Sequence, residues 1–437
     1  MEILQDKELV RKKYIKLTDD AKNNFKNREY EEAEKQSSEA CKLIKSNDDA
    51  IIIYGRAVLS RICKEFKSHE LNVLVIGDIM LDRAFRGLPA TDLAVGRHNT
   101  VTNNIYMLKN KESETNTLGG VGYLGYAFLP MVENVIMIGT IGSDCEGHIL
   151  KEICDGKRGY DGTILKNEND INKKIKFLPV IGDKTITTTK IYFFDESITE
   201  KGDKAIRFDR EDIKIMREEQ NLLKDKIIKA FDSIIEEHKL QDNSGINKST
   251  ISCIVIDDYE KGTITEDIIE YISTTAVENN IKVYVDPKYE WDKFKKCDIE
   301  AIIPNRKECK EGLKTELPVQ ASLDEYPQIS EFVIKMDSDG AYFFDKGKSR
   351  HHVKPYGEND DASDVGCGTI FDAYFITSML CNNSLPESVF LANYAAGLMT
   401  MKQLGQIVTP EDIIKNVTHE VDYFIKNKYL IESLLIK

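Results

Sequence analysis

From residue 72 onward, short apolar β-branched runs recur at regular intervals, and several end on a glycine or an acid. NVLVIG (72–77) comes first; VIMIG (135–139), CIVID (253–257), VYVD (283–286), AIIP (301–304) and FVIKM (332–336) follow. A strand that is apolar on both faces has to be covered on both faces, which is the condition of a parallel sheet inside an α/β fold. Stretches with helical spacing, among them 213–238 and 266–279, separate the runs, so the alternation predicts a doubly wound parallel sheet. Two segments, about 87–117 and 185–209, carry period-two patterns instead, with Thr185, Thr187 and Thr189 on one face. Strands inserted there would form a β lid over the end of the sheet. The polar stretches 238–249 and 346–363 read as loops.

The first 68 residues differ in kind. They hold no proline and one glycine, Gly55, and Tyr30, Ala33, Ala40 and Leu43 recur at helical spacing. Asn47 and Asp48 offer a cap for a helix over 50–66. The stretch AKNNFKNREYEEAEKQSSEACKL resembles a tetratricopeptide helical hairpin. One such unit cannot bury its own faces, so it would pack on the main domain or on a protein partner. The sequence therefore divides into an all-α extension, 1–68, and an α/β domain, 69–437.

A formal net charge of −14 argues against nucleic acid or an anionic membrane as partner. The nine cysteines never fall at C-x-x-C spacing, which reads as reduced thiols without a structural zinc site. The N-terminus is too charged for a signal peptide, and no apolar run reaches spanning length, so a cytoplasmic protein is expected.

In an open α/β sheet, ligands gather beyond the carboxyl ends of the strands. Three features fall there. Asp78 and Asp82 follow the first strand at a spacing of four and could reach ligand hydroxyls. Gly119 and Gly120 precede an apolar helical run, where paired glycines permit close backbone approach. Gly366, Cys367 and Gly368 open a helix at Thr369, leaving backbone N–H groups free to form an anion hole for a phosphoryl group.

The order of these motifs resembles the ribokinase (PfkB) family of carbohydrate kinases, over 71–414, and most of all its heptose-7-phosphate kinase branch. The matching pieces are VLVIGDIMLDRAFRG, GTIGSDCEGHIL, TITTTKIYFF, AIRFD, DDYEKG, DPK, PNRKE and ANYAAG. The resemblance implies a ribokinase-like fold and transfer of phosphate from ATP, with Mg²⁺, to a sugar or sugar phosphate. Asp82, with Asp78, Gly119 and Gly120, would line the sugar pocket. Lys190 and Arg207, on the lid, would meet a substrate phosphate. Asn305 and Glu308 would lie beside the ATP phosphates, Glu308 acting on Mg²⁺ indirectly, and Lys335, Gly340 and Asn393 would complete the nucleotide site. The lid would support a homodimer. That branch often carries a nucleotidyltransferase as well; after Ile414 only a helical tail over 417–436 is expected, so adenylyl transfer is not.

Three residues depart from the family pattern. Its Gly-Ala-Gly-Asp ends in the carboxylate that takes the acceptor proton, where this chain has Thr369. A threonine hydroxyl is no general base near neutral pH. The sugar-pocket Asn after the paired glycines is missing from Val121-Gly122-Tyr123-Leu124, and Lys335 replaces a small hydroxyl residue. Asp372, one helical turn on, and Asp364 are the acids that could substitute for the base. The expectation is an active sugar kinase; the alternative is a kinase-derived sensor or scaffold that binds nucleotide or sugar phosphate.

Overall fold

The computed structural model describes residues 2–44, 47–89, 106–108, 114–157, 174–195, 206–211, 219–241, 247–315, 324–344, 350–357, 365–402 and 406–435. Three helices come first: α1 (Glu2–Lys26), α2 (Tyr30–Leu43) and α3 (Asp48–Glu65). Asn47 caps α3 by accepting from the Asp49 amide at 3.1 Å, as its sequence predicts. Buried Tyr54, Val58 and Ile62 of α3 share one core with Phe390 and Phe424 near the other end of the chain. Arg61 fixes that contact, with Glu34 at 2.6 Å, Glu65 at 2.9 Å and Glu387 at 2.9 Å.

A nine-stranded sheet follows, built from β1 (Asn72–Gly77), β5 (Asn134–Gly142), β6 (Ile175–Gly182), β11 (Cys253–Asp257), β12 (Lys282–Asp286), β13 (Ile299–Ile302), β14 (Ile329–Lys335), β15 (Ala341–Phe344) and β16 (Arg350–Val353). Their order is β16-β15-β14-β13-β12-β11-β1-β5-β6. The pairs from β6 through β14 are parallel, whereas β14–β15 and β15–β16 are antiparallel. The sheet is thus mixed, not purely parallel. Arg350–Val353, inside a segment that reads as a polar loop, is its edge strand; the polarity is that of an edge.

Lid strands β2 (Ile79–Pro89), β3 (Tyr106–Met107), β4 (Glu114–Gly120), β7 (Thr189–Asp195) and β8 (Ile206–Arg210) form a second sheet around β2. The lid begins at Ile79, eight residues before the expected 87, because β2 leaves β1 almost without a turn. The parts of the expected lid at 90–105, 109–113 and 196–205 lie outside the described residues. A short hairpin, β9 (Lys239–Gln241) with β10 (Asn247–Ser249), occupies the other expected loop.

Helices cover both faces: α4 (Val121–Phe128), α5 (Cys145–Cys154), α6 (Gln220–Glu237), α7 (Glu266–Glu278), α8 (Arg306–Leu313), α9 (Cys367–Leu380), α10 (Leu385–Met399) and α11 (Pro410–Val417). Two short helices, α12 (Asp422–Lys426) and α13 (Lys428–Leu434), end the described chain. One core layer joins α3, α9 and α10 to the sheet, and another joins α6 and α7 to its opposite face. Register is the point that matters for chemistry. Gly77 pairs with Asp257 and Gly139, and Asp257 pairs with Asp286, so the carboxyl ends lie level at one rim.

Candidate active site

Asp78 and Asp82 part company at that rim. Asp78 is 2% exposed, and its carboxylate accepts from the backbone amides of Tyr259 at 2.9 Å, Lys261 at 3.0 Å and Thr263 at 3.2 Å. It shapes the turn after β11, with both oxygens engaged by backbone amides and sealed from solvent, where the sequence expectation has it lining a sugar pocket. Asp82 lies on β2 opposite Thr117 and beside Lys190 of β7. Its Oδ1 is buried and finds no hydrogen-bond partner among the described residues. Burial pushes its pKa up, against the pull of Lys190 and Arg207.

The paired glycines leave room for that carboxyl. A Cβ on Gly119 would lie 2.9 Å from Asp82 Oδ2. Gly120 has φ +57, and a Cβ there would meet the Asp78 carbonyl at 2.1 Å, so the turn into α4 requires glycine. Lys190 stands over the Tyr259 ring at 5.3 Å. Arg207 is paired with Asp209 on the exposed strand β8 and lies 5.8 Å from the Tyr192 ring.

The turn that Asp78 holds carries the next layer. Glu260 accepts from the amides of Tyr289 and Glu290, both at 2.6 Å, and so ties the turn after β11 to the one after β12. There Lys288 stands over the opposite part of the site, 4.8 Å from the Tyr259 ring and 2.7 Å from Glu308. Tyr259 is therefore flanked by lysines from the lid and from the sheet. Sequence reasoning gives Tyr259, Asp286 and Lys288 no role, although DDYEKG and DPK carry the signal.

Asn305 and Glu308 serve the chain first. They form the capping box of α8: the Asn305 side chain accepts from the Glu308 amide at 2.9 Å, and Glu308 Oε2 from the Asn305 amide at 2.8 Å. With Oε1 on Lys288, both oxygens of Glu308 are engaged. Gly340 closes the β14–β15 turn at φ +88, and a Cβ on it would meet Val353 O at 2.1 Å. Asn393 is 6% exposed and donates to Lys354 O at 2.7 Å. These two residues hold packing contacts in this structure.

Lys335 ends β14 directly beneath α9. Its Nζ lies 3.0 and 2.9 Å from the two oxygens of Asp372 and 3.2 Å from Asp286. Burial would lower its pKa, but Asp286, Asp372 and Glu308 outweigh that and raise it, so the ammonium stays charged. Asp372 is 1% exposed, with both oxygens on Lys335. Burial and the Lys335 ammonium thus occupy the carboxylate that the sequence offers as a substitute base. Asp364 lies outside the described residues. Asp286 keeps one buried oxygen, Oδ1, without a partner.

The Gly366 turn completes the rim. Gly366 caps α9 at φ +83, where a Cβ would meet the Tyr123 hydroxyl at 2.5 Å. Cys367, Gly368 and Thr369 begin the helix, and a Cβ on Gly368 would come no closer to a neighbour than 3.7 Å, at Lys335 Nζ. That is ordinary van der Waals contact, so a small side chain there would not clash. Tyr123, from α4, reaches the turn from the Asp82 side, and both Cys367 and Asp82 act on its phenol electrostatically. One continuous rim thus runs from Asp82 through Tyr123 to Gly366–Gly368, Lys335 and Asp286.

Residues 227–412 match the family model of the pfkB family carbohydrate kinases. That stretch, somewhat under half of the chain, is similar to a domain of that family. Among curated relatives, the bifunctional protein HldE of a Nitratiruptor species is 23% identical over 309 residues, covering 69% of this chain and 57% of the relative. HldE of Campylobacter jejuni subsp. jejuni serotype O:6 is 25% identical over 331 residues, covering 74% and 61%. The chain therefore spans about three fifths of the length of the curated relatives it matches. Solved structures show the same ribokinase-like fold. The tetrameric inhibited form of Escherichia coli phosphofructokinase-2 superposes with TM-score 0.54 at 16% identity, covering 80% of this chain and 99% of that one. Arabidopsis thaliana ribokinase complexed with ribose and ATP gives 0.51 at 12% identity, covering 80% and 100%.

Proposed function

We propose that the kinase domain transfers the terminal phosphate of ATP to a hydroxyl of a sugar phosphate. The observation that carries this reading is that the start of α9 at Gly366–Gly368 lies against Tyr123 on one side and Lys335 on the other, at the rim that also holds Asp82 and Asp286. Asp82, with an unpartnered oxygen, would hold acceptor hydroxyls, and Lys190 with Arg207 would meet an acceptor phosphate. The first turn of α9 would receive the migrating phosphoryl group. Mg²⁺ suits this site modestly: it is commonly held by one or two carboxylates together with nucleotide phosphates. Asp286 Oδ1 is the carboxylate oxygen available for it, and Glu308 would act only through water. The ion would neutralise charge on the transferring phosphate. The HldE relatives favour a heptose phosphate as acceptor, and the lid favours a homodimer.

We also propose residues 1–68 as an extension whose outer helices meet a protein partner, resting through α3 on residues 69–437. The test of the main reading is ADP release from MgATP with hexoses, heptoses and their phosphates. Turnover above that of a Gly368→Arg control is expected, since a Cβ at Gly368 meets Lys335 no closer than 3.7 Å and the larger, charged side chain would crowd the start of α9. No difference from the control overturns it.

A second reading has its own observation: Thr369 offers no base, and Asp372 is fixed by Lys335. On this reading the domain binds the same ligands and does not react them. Thr369→Asp separates the two, because a positioned base contributes about 10²–10⁴-fold. Turnover that appears only in the variant favours the binding protein. Turnover already present in the natural chain favours the kinase.

A further inference from the structure

One aromatic side chain joins the Asp82 end of the rim to the Gly366 turn. Tyr123 is the third residue of α4, the helix that starts straight after the glycines packed on Asp82. Its hydroxyl donates to Gln406 O at 3.0 Å and lies 3.8 Å from Met399 Sδ. Its ring rests on Gly366 so closely that a Cβ there would sit 2.8 Å from Cε1 and 2.5 Å from the hydroxyl oxygen. The wall is thus built from both sides, a ring on α4 and a glycine on the turn.

We propose that Tyr123 sets the size of the acceptor by filling the space between Asp82 and the Gly366 turn. A short or open-chain sugar phosphate then reaches the turn more easily than one that must place a pyranose ring there. This rests on the sugar-kinase reading of the rim, and moves its acceptor from the heptose phosphate that the relatives' names favour to a smaller sugar phosphate. The phenol acts here as bulk. Its proton is committed to Gln406, and its pKa is pushed up by burial, so it is no substitute for the missing base.

The experiment is calorimetry on the full chain, with ADP present, using erythrose 4-phosphate, which cannot close a pyranose, and glucose 6-phosphate, which does. The natural chain is expected to favour erythrose 4-phosphate by about tenfold or more, the scale on which pocket size discriminates. Tyr123→Asn removes that preference, and Tyr123→Phe, which keeps the ring and loses only the hydrogen bond, preserves it. A ratio unchanged in Tyr123→Asn, a Tyr123→Phe ratio that moves as far as the Asn one, or a natural preference for glucose 6-phosphate overturns the proposal while leaving sugar-phosphate binding intact. Binding of neither compound to either protein overturns it together with the acceptor reading. If melting shows that Tyr123→Asn does not fold, Tyr123→Leu takes its place with the same expected loss of preference.

Discussion

The two ends of the rim are built differently. On the phosphate side most charges are matched within the chain, with Asp286 Oδ1 left over: Lys335 with Asp372 and Asp286, Lys288 with Glu308, Glu308 again with the α8 cap. On the acceptor side Asp82 keeps a buried oxygen without a partner, and Lys190 is steadied by an aromatic ring and by field alone. Matched charges lock backbone segments in place. Unmatched ones are costly to the fold and are tolerated where a ligand completes them.

That contrast is open to attack by substitution. The largest effect is expected at Lys335→Met, which strands two carboxylates beneath α9. Removing one member of a buried pair costs about 3–5 kcal/mol, read as a loss in denaturant unfolding. Lys335→Met with Asp372→Leu should cost less than Lys335→Met alone. Equal or greater loss in the double variant would mean the pair is not coupled as its geometry indicates.

The next test sets Asp78 against Asp82. Asp78→Ala leaves three buried amides unsatisfied and should cost about 3 kcal/mol. Asp82→Asn should cost nothing, and above pH 5 should gain up to about 1 kcal/mol by removing a poorly solvated charge. The sign follows from linkage. Burial raises the folded-state pKa of Asp82, so its ionisation works against the fold as pH rises above about 3.9, the unfolded value. The gain therefore vanishes below about pH 4. Its persistence there would contradict the buried carboxylate.

The smallest expected effect is at the hinge of the lid. Asp144 caps α5 through the Gly147 amide at 3.0 Å and also accepts from the Thr187 amide at 3.0 Å. Burial would raise its pKa, but these bonds, the Thr187 hydroxyl and Arg210 lower it. A depressed folded pKa adds stability above the unfolded value, lost as pH falls through the folded one. Asp144→Ala should cost about 1 kcal/mol at neutral pH and progressively less below about pH 4, seen as converging melting temperatures.

Six of the nine strands of the main sheet are legible because apolar runs of four to six residues leave little other choice, and NVLVIG forms β1 over the residues it names; β6, β15 and β16, at the two edges, lack such runs. The α3 cap at Asn47 is legible for a local reason, a side chain bonding two residues away. Partner identity is not local. Nothing in the spacing of Asp78 and Asp82 says that one faces three amides and the other keeps a buried oxygen unpartnered; Asp78 links β1 to β2, Asp82 lies on β2, and the turn 181 residues on from Asp78 decides it. Lys335 and Asp372 read separately as a departure and a spare acid, and only the packing of α9 on β14 makes them partners. Tyr123 reads as the lack of an asparagine, while the structure gives it a place against Gly366.

The central claim is that the first turn of α9 and the rim around Asp286 receive nucleotide phosphates. Calorimetric titration with MgATP tests it most directly, using the natural chain beside Gly368→Arg with both shown folded by melting. Saturable binding by the natural chain and none by the variant is the predicted result. No uptake by the natural chain, or equal uptake by both proteins, would contradict it.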